Sequence, residues 1–168
     1  ISARALEFLT LTAARSGEVR LMTWSEIDFR NKIWTVPASR MKAKKEHRVP
    51  LSDASVSILE SVQRVDGADL VFQGTRGGAL SDMSLTAVMR RLGFAAVPHG
   101  LRSSFRNWAA EMTAYPNEVA EMALAHTVSN STEAAYRRGD LFHKRVRMMS
   151  DWAEFTASSF SDGCVVMP

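Results

Sequence analysis

Residues 98–112, PHGLRSSFRNWAAEM, constrain the chain most. Leu101, Phe105, Trp108 and Met112 recur at i, i+4, i+7 and i+11, which lines one face of an α-helix with large apolar groups. Pro98 suits the first turn, where no intrahelical N–H is needed. On the same wheel His99, Arg102 and Arg106 point about 120° away from the apolar stripe. The segment predicts a helix with an apolar face inward and a cationic face outward. A face of that kind needs a partner layer, and 168 residues with 46% apolar content supply one domain able to bury it.

The other elements follow from period and punctuation. Helical spacing of Leu6, Leu9 and Ala13 predicts a helix over 3–14, and a short helix through Leu21 and Met22 follows, leaving Arg15 at a helix end. Residues 32–36 (KIWTV) and 48–51 (RVPL) read as two short strands joined by a basic hairpin tip. Ser52 or Asp53 can cap a helix to about Gln63, residues 70–72 suit a short strand, 74–78 a turn, and 81–92 a helix. Helices are predicted over 117–125, 132–138 and 141–157, the last with Phe142, Val146, Met149 and Ala153 on one stripe. Residues 158–168 read as a loose tail. The predicted class is mainly α with a small antiparallel β-sheet, an α+β fold.

Composition removes several functions. No run approaches the roughly 18 apolar residues of a membrane span, since even 5–14 carries Glu7. The single cysteine, Cys164, allows neither a disulfide framework nor a Cys-based zinc site, and a reducing compartment is expected. The net charge is only +3, yet the charges are blocked. Arg40, Lys42, Lys44, Lys45 and Arg48 stand against Glu46 alone; Arg90, Arg91, Arg102 and Arg106 form a second group, and Arg137, Arg138, Lys144, Arg145 and Arg147 a third beside Asp140. Such clusters suit a polyanion, most simply nucleic acid, while solvated helix faces are the plain alternative.

The 18 carboxylates show no helical pairing with a histidine that would hold two metal ions, and GTRGG at 74–78 lacks a phosphate-cradling fingerprint. A phosphodiester transition state can instead be neutralised by guanidinium forks, for which Arg15 and Arg102 are candidates. Several motifs then fall in order. They are Ala14-Arg15-Ser16-Gly17-Glu18, Lys42 within MKAKKEHRVPL, His99-Gly100-Leu101-Arg102, Leu124-Ala125-His126, and Ala134-Ala135-Tyr136-Arg137-Arg138 followed by the rest of RRGDLFHKR. Over about residues 1–157 this resembles the catalytic domain of the tyrosine recombinases, and among them the prophage integrases. Ala125 departs mildly from the commoner Leu-Gly-His of that family.

The resemblance implies the breaking-rejoining fold and a reaction without metal or cofactor. Tyr136 would be the nucleophile, His99 the base, Lys42 the acid for the leaving oxygen, and Arg15, Arg102 and His126 the phosphate ligands. Glu18 would orient an arginine, and Lys44, Lys45, Arg106, Arg137 and Arg138 would contact DNA. Tyr115, the other tyrosine, is expected to be structural, and His47 and His143 to lie on the surface. Expected partners are double-stranded attachment sites, a homotetramer in the synaptic complex with the isolated piece monomeric, an excisionase and a DNA-bending host protein; no membrane is involved. The chain starts at Ile1, so it reads as a piece of a longer protein whose core-binding and arm-binding domains lie elsewhere, acting in the bacterial cytoplasm at the nucleoid. The rivals are a type IB topoisomerase-like enzyme and a non-catalytic DNA-binding module.

Overall fold

Helix α1 (Ser2–Thr12) organises the fold. It meets α2 (Ser16–Arg20), α3 (Asp53–Ser61), α4 (Ser84–Arg91), α5 (Pro98–Glu111) and a long final helix, α7 (Phe142–Ser158). A helix covered on so many sides buries more than one stripe. Ala5, Phe8, Leu9 and Thr12 are buried and Leu6 is packed at the margin, rather than the single Leu6–Leu9–Ala13 line the sequence suggests. This computed structural model describes residues 1–126 and 139–158. The predicted helix at 132–138 and the tail from 159 onward lie outside the described residues.

The sheet has three antiparallel strands in the order β1 (Ile27–Asp28), β2 (Ile33–Val36), β3 (His47–Pro50). Trp34 faces Val49 and Val36 faces His47 across the central ladder. The two expected strands are present; β1 is the addition, since two residues are too short to show a period. The expected strand at 70–72 is reduced to a single bridge between Thr23 and Leu70. At 74–78 the turn forms, with the Gly74 N–H donating to the Gly78 carbonyl at 2.9 Å.

Among the described residues two apolar clusters fill the interior. Phe8, Trp34 and Phe72 centre the first, with ring centroids 5.6 and 5.7 Å apart, and tie α1 to the sheet. Phe105, Trp108, Trp152 and Phe155 form the second, between α5 and α7. Trp152 also donates its indole N–H to the Thr10 carbonyl at 2.7 Å, which satisfies the one polar atom it brings into the core. Helix α6 (Asn117–Ala123) packs against α5 and α7 through Val119, Ala120 and Ala123.

Four expectations about faces are corrected. Met112 follows the end of α5 and is 65% exposed, so the apolar stripe stops at Trp108. On α7 the buried residues are Arg145, Met148, Met149 and Trp152, while Val146 is exposed. Arg145, counted above with a solvated basic patch, is 1% exposed: it donates to the Asp140 carboxylate at 2.7 Å and to the Arg48 carbonyl at 2.5 Å. Arg40 likewise turns inward, to the carboxylate of Glu26 and the carbonyls of Glu18 and Leu21, which anchors the base of the lysine loop to α2. Among the described residues no helix is long and apolar enough to cross a membrane.

Candidate active site

The site forms where two helices end. Helix α1 stops on Ala13, whose left-handed backbone (φ 49°) turns its carbonyl out of the helix ladder. Helix α6 stops the same way on Ala125 (φ 50°), leaving the Leu124 carbonyl free at its C-terminal end. Both ends carry the negative pole of a helix dipole, which favours a cation. Arg102, from the middle of α5, fills that position. Its Nη1 donates to the Ala13 carbonyl and its Nη2 to the Leu124 carbonyl at 2.6 Å.

The expected outward cationic face of α5 is therefore wrong for Arg102, which is only 5% exposed. A guanidinium is normally buried only when paired, and among the described residues no carboxylate forms an ion pair with it. Two carbonyl ends do that work instead. Burial, and then the charge of Arg15, lower its pKa to about 10, so an anion arriving here would be favoured twice over.

Arg15 approaches from the N-terminus of α2. Its Nη2 lies 3.4 Å from both the Leu124 and Ala125 carbonyls, so both arginines converge on the same turn. Glu18, one turn into α2, accepts from the Arg15 backbone N–H at 2.8 Å and from Nη1 at 2.7 Å. Buried Glu18 thus holds Arg15 through both contacts. His126 completes the group: its Nε2 is 3.4 Å from Arg102 Nη2, and its Nδ1 lies 2.8 Å from Glu121 Oε2.

Among the described residues, no hydrogen bond joins His99 or the hairpin lysines to this centre. His99 is exposed in the first turn of α5. Lys42, Lys44 and Lys45 are exposed in the loop between β2 and β3, and their side chains make no hydrogen bond or ion pair among the described residues. Arg106 is bonded through Nε to Glu121 at 2.7 Å. Tyr136, Arg137 and Arg138 lie outside the described residues. Tyr115 donates its hydroxyl to Asp151 at 2.6 Å, and burial together with that carboxylate pushes its pKa up to about 12, an unsuitable setting for a phenolate nucleophile. His143 is exposed, as expected.

His47 is not a surface residue. It projects from β3 to within 3.3 Å of the Ala123 carbonyl, and burial, followed by the charge of Arg145, lowers its pKa to about 4. Sequence inspection also missed Glu121. The available signal was its place five residues before His126, a gap that spans one helix-ending turn.

Residues 2–141 match the phage integrase family. Prophage integrase IntA of Escherichia coli strain K12 is 35% identical over 161 residues, covering 93% of this chain and 39% of that protein. The chain spans about two fifths of the length of the curated relatives it matches. The integrase of mycobacterium phage Brujita shares the fold with a TM-score of 0.69 at 20% identity, over 89% of this chain and 50% of that one. A lambda integrase tetramer bound to a Holliday junction superimposes with a TM-score of 0.56 at 17% identity, over 79% of this chain and 41% of that one.

Proposed function

Because this chain belongs to the phage integrase family, we propose that it is the catalytic domain of a prophage integrase, which breaks and rejoins DNA at specific sites. The observation that carries this reading is the convergence of Arg15, Arg102 and His126 on the turn at Leu124. Two guanidinium groups and an imidazole gathered at two helix C-termini make a receptor for a phosphodiester. Their donors suit the oxygens on which negative charge grows during displacement at phosphorus.

In this reading the Tyr136 hydroxyl attacks the scissile phosphorus while its proton passes to His99. The bond from phosphorus to the 5′ oxygen breaks, and Lys42 gives that oxygen a proton. The products are a 3′-phosphotyrosyl strand and a free 5′-hydroxyl. Because the new bond is still a phosphodiester, another strand's 5′-hydroxyl can displace Tyr136 and seal the exchange without nucleotide hydrolysis. Lys44, Lys45, Arg137 and Arg138 serve as phosphate contacts along the duplex, together with whatever of Arg106 remains free of Glu121.

By likeness to lambda integrase, whose tetramer binds a Holliday junction, the exchanging assembly is a homotetramer on two duplexes. Core-binding and arm-binding domains, an excisionase and a DNA-bending host protein complete the machinery, which works at the bacterial nucleoid. The test is covalent capture. Nicked duplexes selected for binding from a randomised pool are incubated with the full protein and with Tyr136→Phe, then resolved under denaturing conditions. A protease-sensitive upshifted band with wild type alone is expected. A protein that binds but leaves no band would be a DNA-binding module, and relaxation of supercoils without partner-swapped products would make it a topoisomerase.

A further inference from the structure

Helix α6 closes in a way that brings two unexpected side chains together. The His126 N–H donates to the Glu121 carbonyl at 2.9 Å and the Ala125 N–H to the Met122 carbonyl at 3.2 Å, with Ala125 left-handed between them. This closure lays the side chain three from the helix end beside that of the first residue past the turn, a position that apolar pairs commonly occupy. Here the pair is a carboxylate and an imidazole. An ionised carboxylate can only accept, so the 2.8 Å contact assigns the proton to His126 Nδ1.

The contact belongs to a chain of four groups. Arg106 Nε donates to Glu121 Oε1 at 2.7 Å, Glu121 Oε2 accepts from His126 Nδ1, and His126 Nε2 lies 3.4 Å from Arg102 Nη2. Both arginines come from α5, about one helical turn apart. Arg102 in turn feels the charges of Arg15, Glu18 and Glu121. Burial raises the Glu121 pKa, but hydrogen bonds from His126 and Arg106 outweigh it and bring the value below that of an ordinary glutamate. The carboxylate is thus ionised behind the ring, while the opposite nitrogen faces the phosphate receptor.

We propose that Glu121 is a positioning residue for His126: it holds the ring with Nδ1 protonated and Nε2 turned toward Arg102, and Arg106 holds Glu121. The inference rests on the reading in which His126 meets the scissile phosphate. The partner on one imidazole nitrogen sets which tautomer the other presents. When Nε2 takes up a proton to donate to a phosphate oxygen, Glu121 offsets the charge of the ring. On this account Arg106 contributes mainly through the carboxylate rather than through DNA.

The test reads the ring and the reaction separately. Side-chain 15N NMR of His126 reports the tautomer without any turnover, in wild type, Glu121→Gln and Glu121→Ala. Wild type should carry Nδ1–H; Glu121→Ala should lose that preference, and Glu121→Gln, which keeps an acceptor oxygen, should retain it. Covalent adduct formation by the full protein should slow about 10- to 100-fold in Glu121→Ala, the loss typical of groups that orient an imidazole from behind. Most of the rate should return in Glu121→Gln. In a His126→Ala background Glu121→Ala should cost nothing further, because it acts through the ring.

An unchanged tautomer in Glu121→Ala, or an equal loss of rate with and without His126, overturns the proposal while leaving the recombination reaction standing. A wild type that forms no adduct on any selected duplex overturns the reaction itself, and with it the catalytic half of this inference. The NMR result still decides whether Glu121 sets the ring.

Discussion

His47 makes the stability of this domain depend on pH in a window that opens well above that of its carboxylates. Its ring reaches from β3 to the Ala123 carbonyl, at the end of the helix whose next carbonyl receives Arg102. Burial, then Arg145, keeps the imidazole neutral until about pH 4, whereas an unfolded chain protonates it near 6.5. As pH falls through 6.5 the unfolded state takes the proton first, so stability drains away until the folded ring titrates near 4. That gap, at 1.36 kcal/mol for each pH unit, amounts to roughly 3 kcal/mol, with about 2 kcal/mol already gone at pH 5. Wild type and His47→Gln, which keeps an amide donor but cannot titrate, are unfolded in urea from about pH 7.5 to about pH 4, with tryptophan fluorescence as the signal. Shared carboxylate effects cancel in the difference. Wild type should lose roughly 3 kcal/mol relative to the variant across that range. A difference that stays flat with pH, or one that grows in favour of wild type on acidification, would refute the assignment of a buried neutral ring.

Asp140→Ala should destabilise the fold by about 3 kcal/mol in thermal or urea unfolding, because Arg145 is 1% exposed and would keep only carbonyl acceptors. A loss well under 1 kcal/mol would show that the carbonyls alone suffice. Ala125→Gly should stabilise by roughly 0.5–1 kcal/mol, as glycine accepts the left-handed turn at φ 50° without the steric cost of a Cβ; a lower melting temperature would contradict this. Arg102→Lys should cut adduct formation about a hundredfold or more, since a lysine cannot bridge the Ala13 and Leu124 carbonyls and still fork to phosphate. Full activity would remove Arg102 from the phosphate site. For Lys42→Ala, a 5′-phosphorothiolate leaving group should restore cleavage, because sulfur leaves without a proton; failure of that rescue would pass the acid role to another group.

Much of this protein was legible in its residues. The period of 98–112 gave a helix with Phe105 and Trp108 in the core, and the β-branched and aromatic run at 33–36 gave the central strand. Local periodicity reports which face is apolar, so these elements survive any packing. Arg15 and Glu18 were singled out together by the motif they share, and the folded chain pairs them within one helical turn. The order of motifs from Arg15 to Tyr136 was enough to suggest a family, since order along a chain needs no coordinates.

What the tertiary structure decided is the direction and company of each charge. Composition counts Arg40, Arg102 and Arg145 as cations free for a polyanion, yet each turns inward onto a carbonyl of a distant segment. His47 became a half-buried link to α6, and Glu121 came to stand behind His126, through contacts that link separate elements or cross a helix-ending turn. The physical reason is common to all of them. Whether a charge is solvated or buried depends on which dipoles and counter-charges the folded chain brings within about 3 Å of it. Sequence determined the elements, the residue types and the motif order; packing of α1, α5 and α6 determined that two helix ends meet at Arg102, and so where the proposed phosphate site lies.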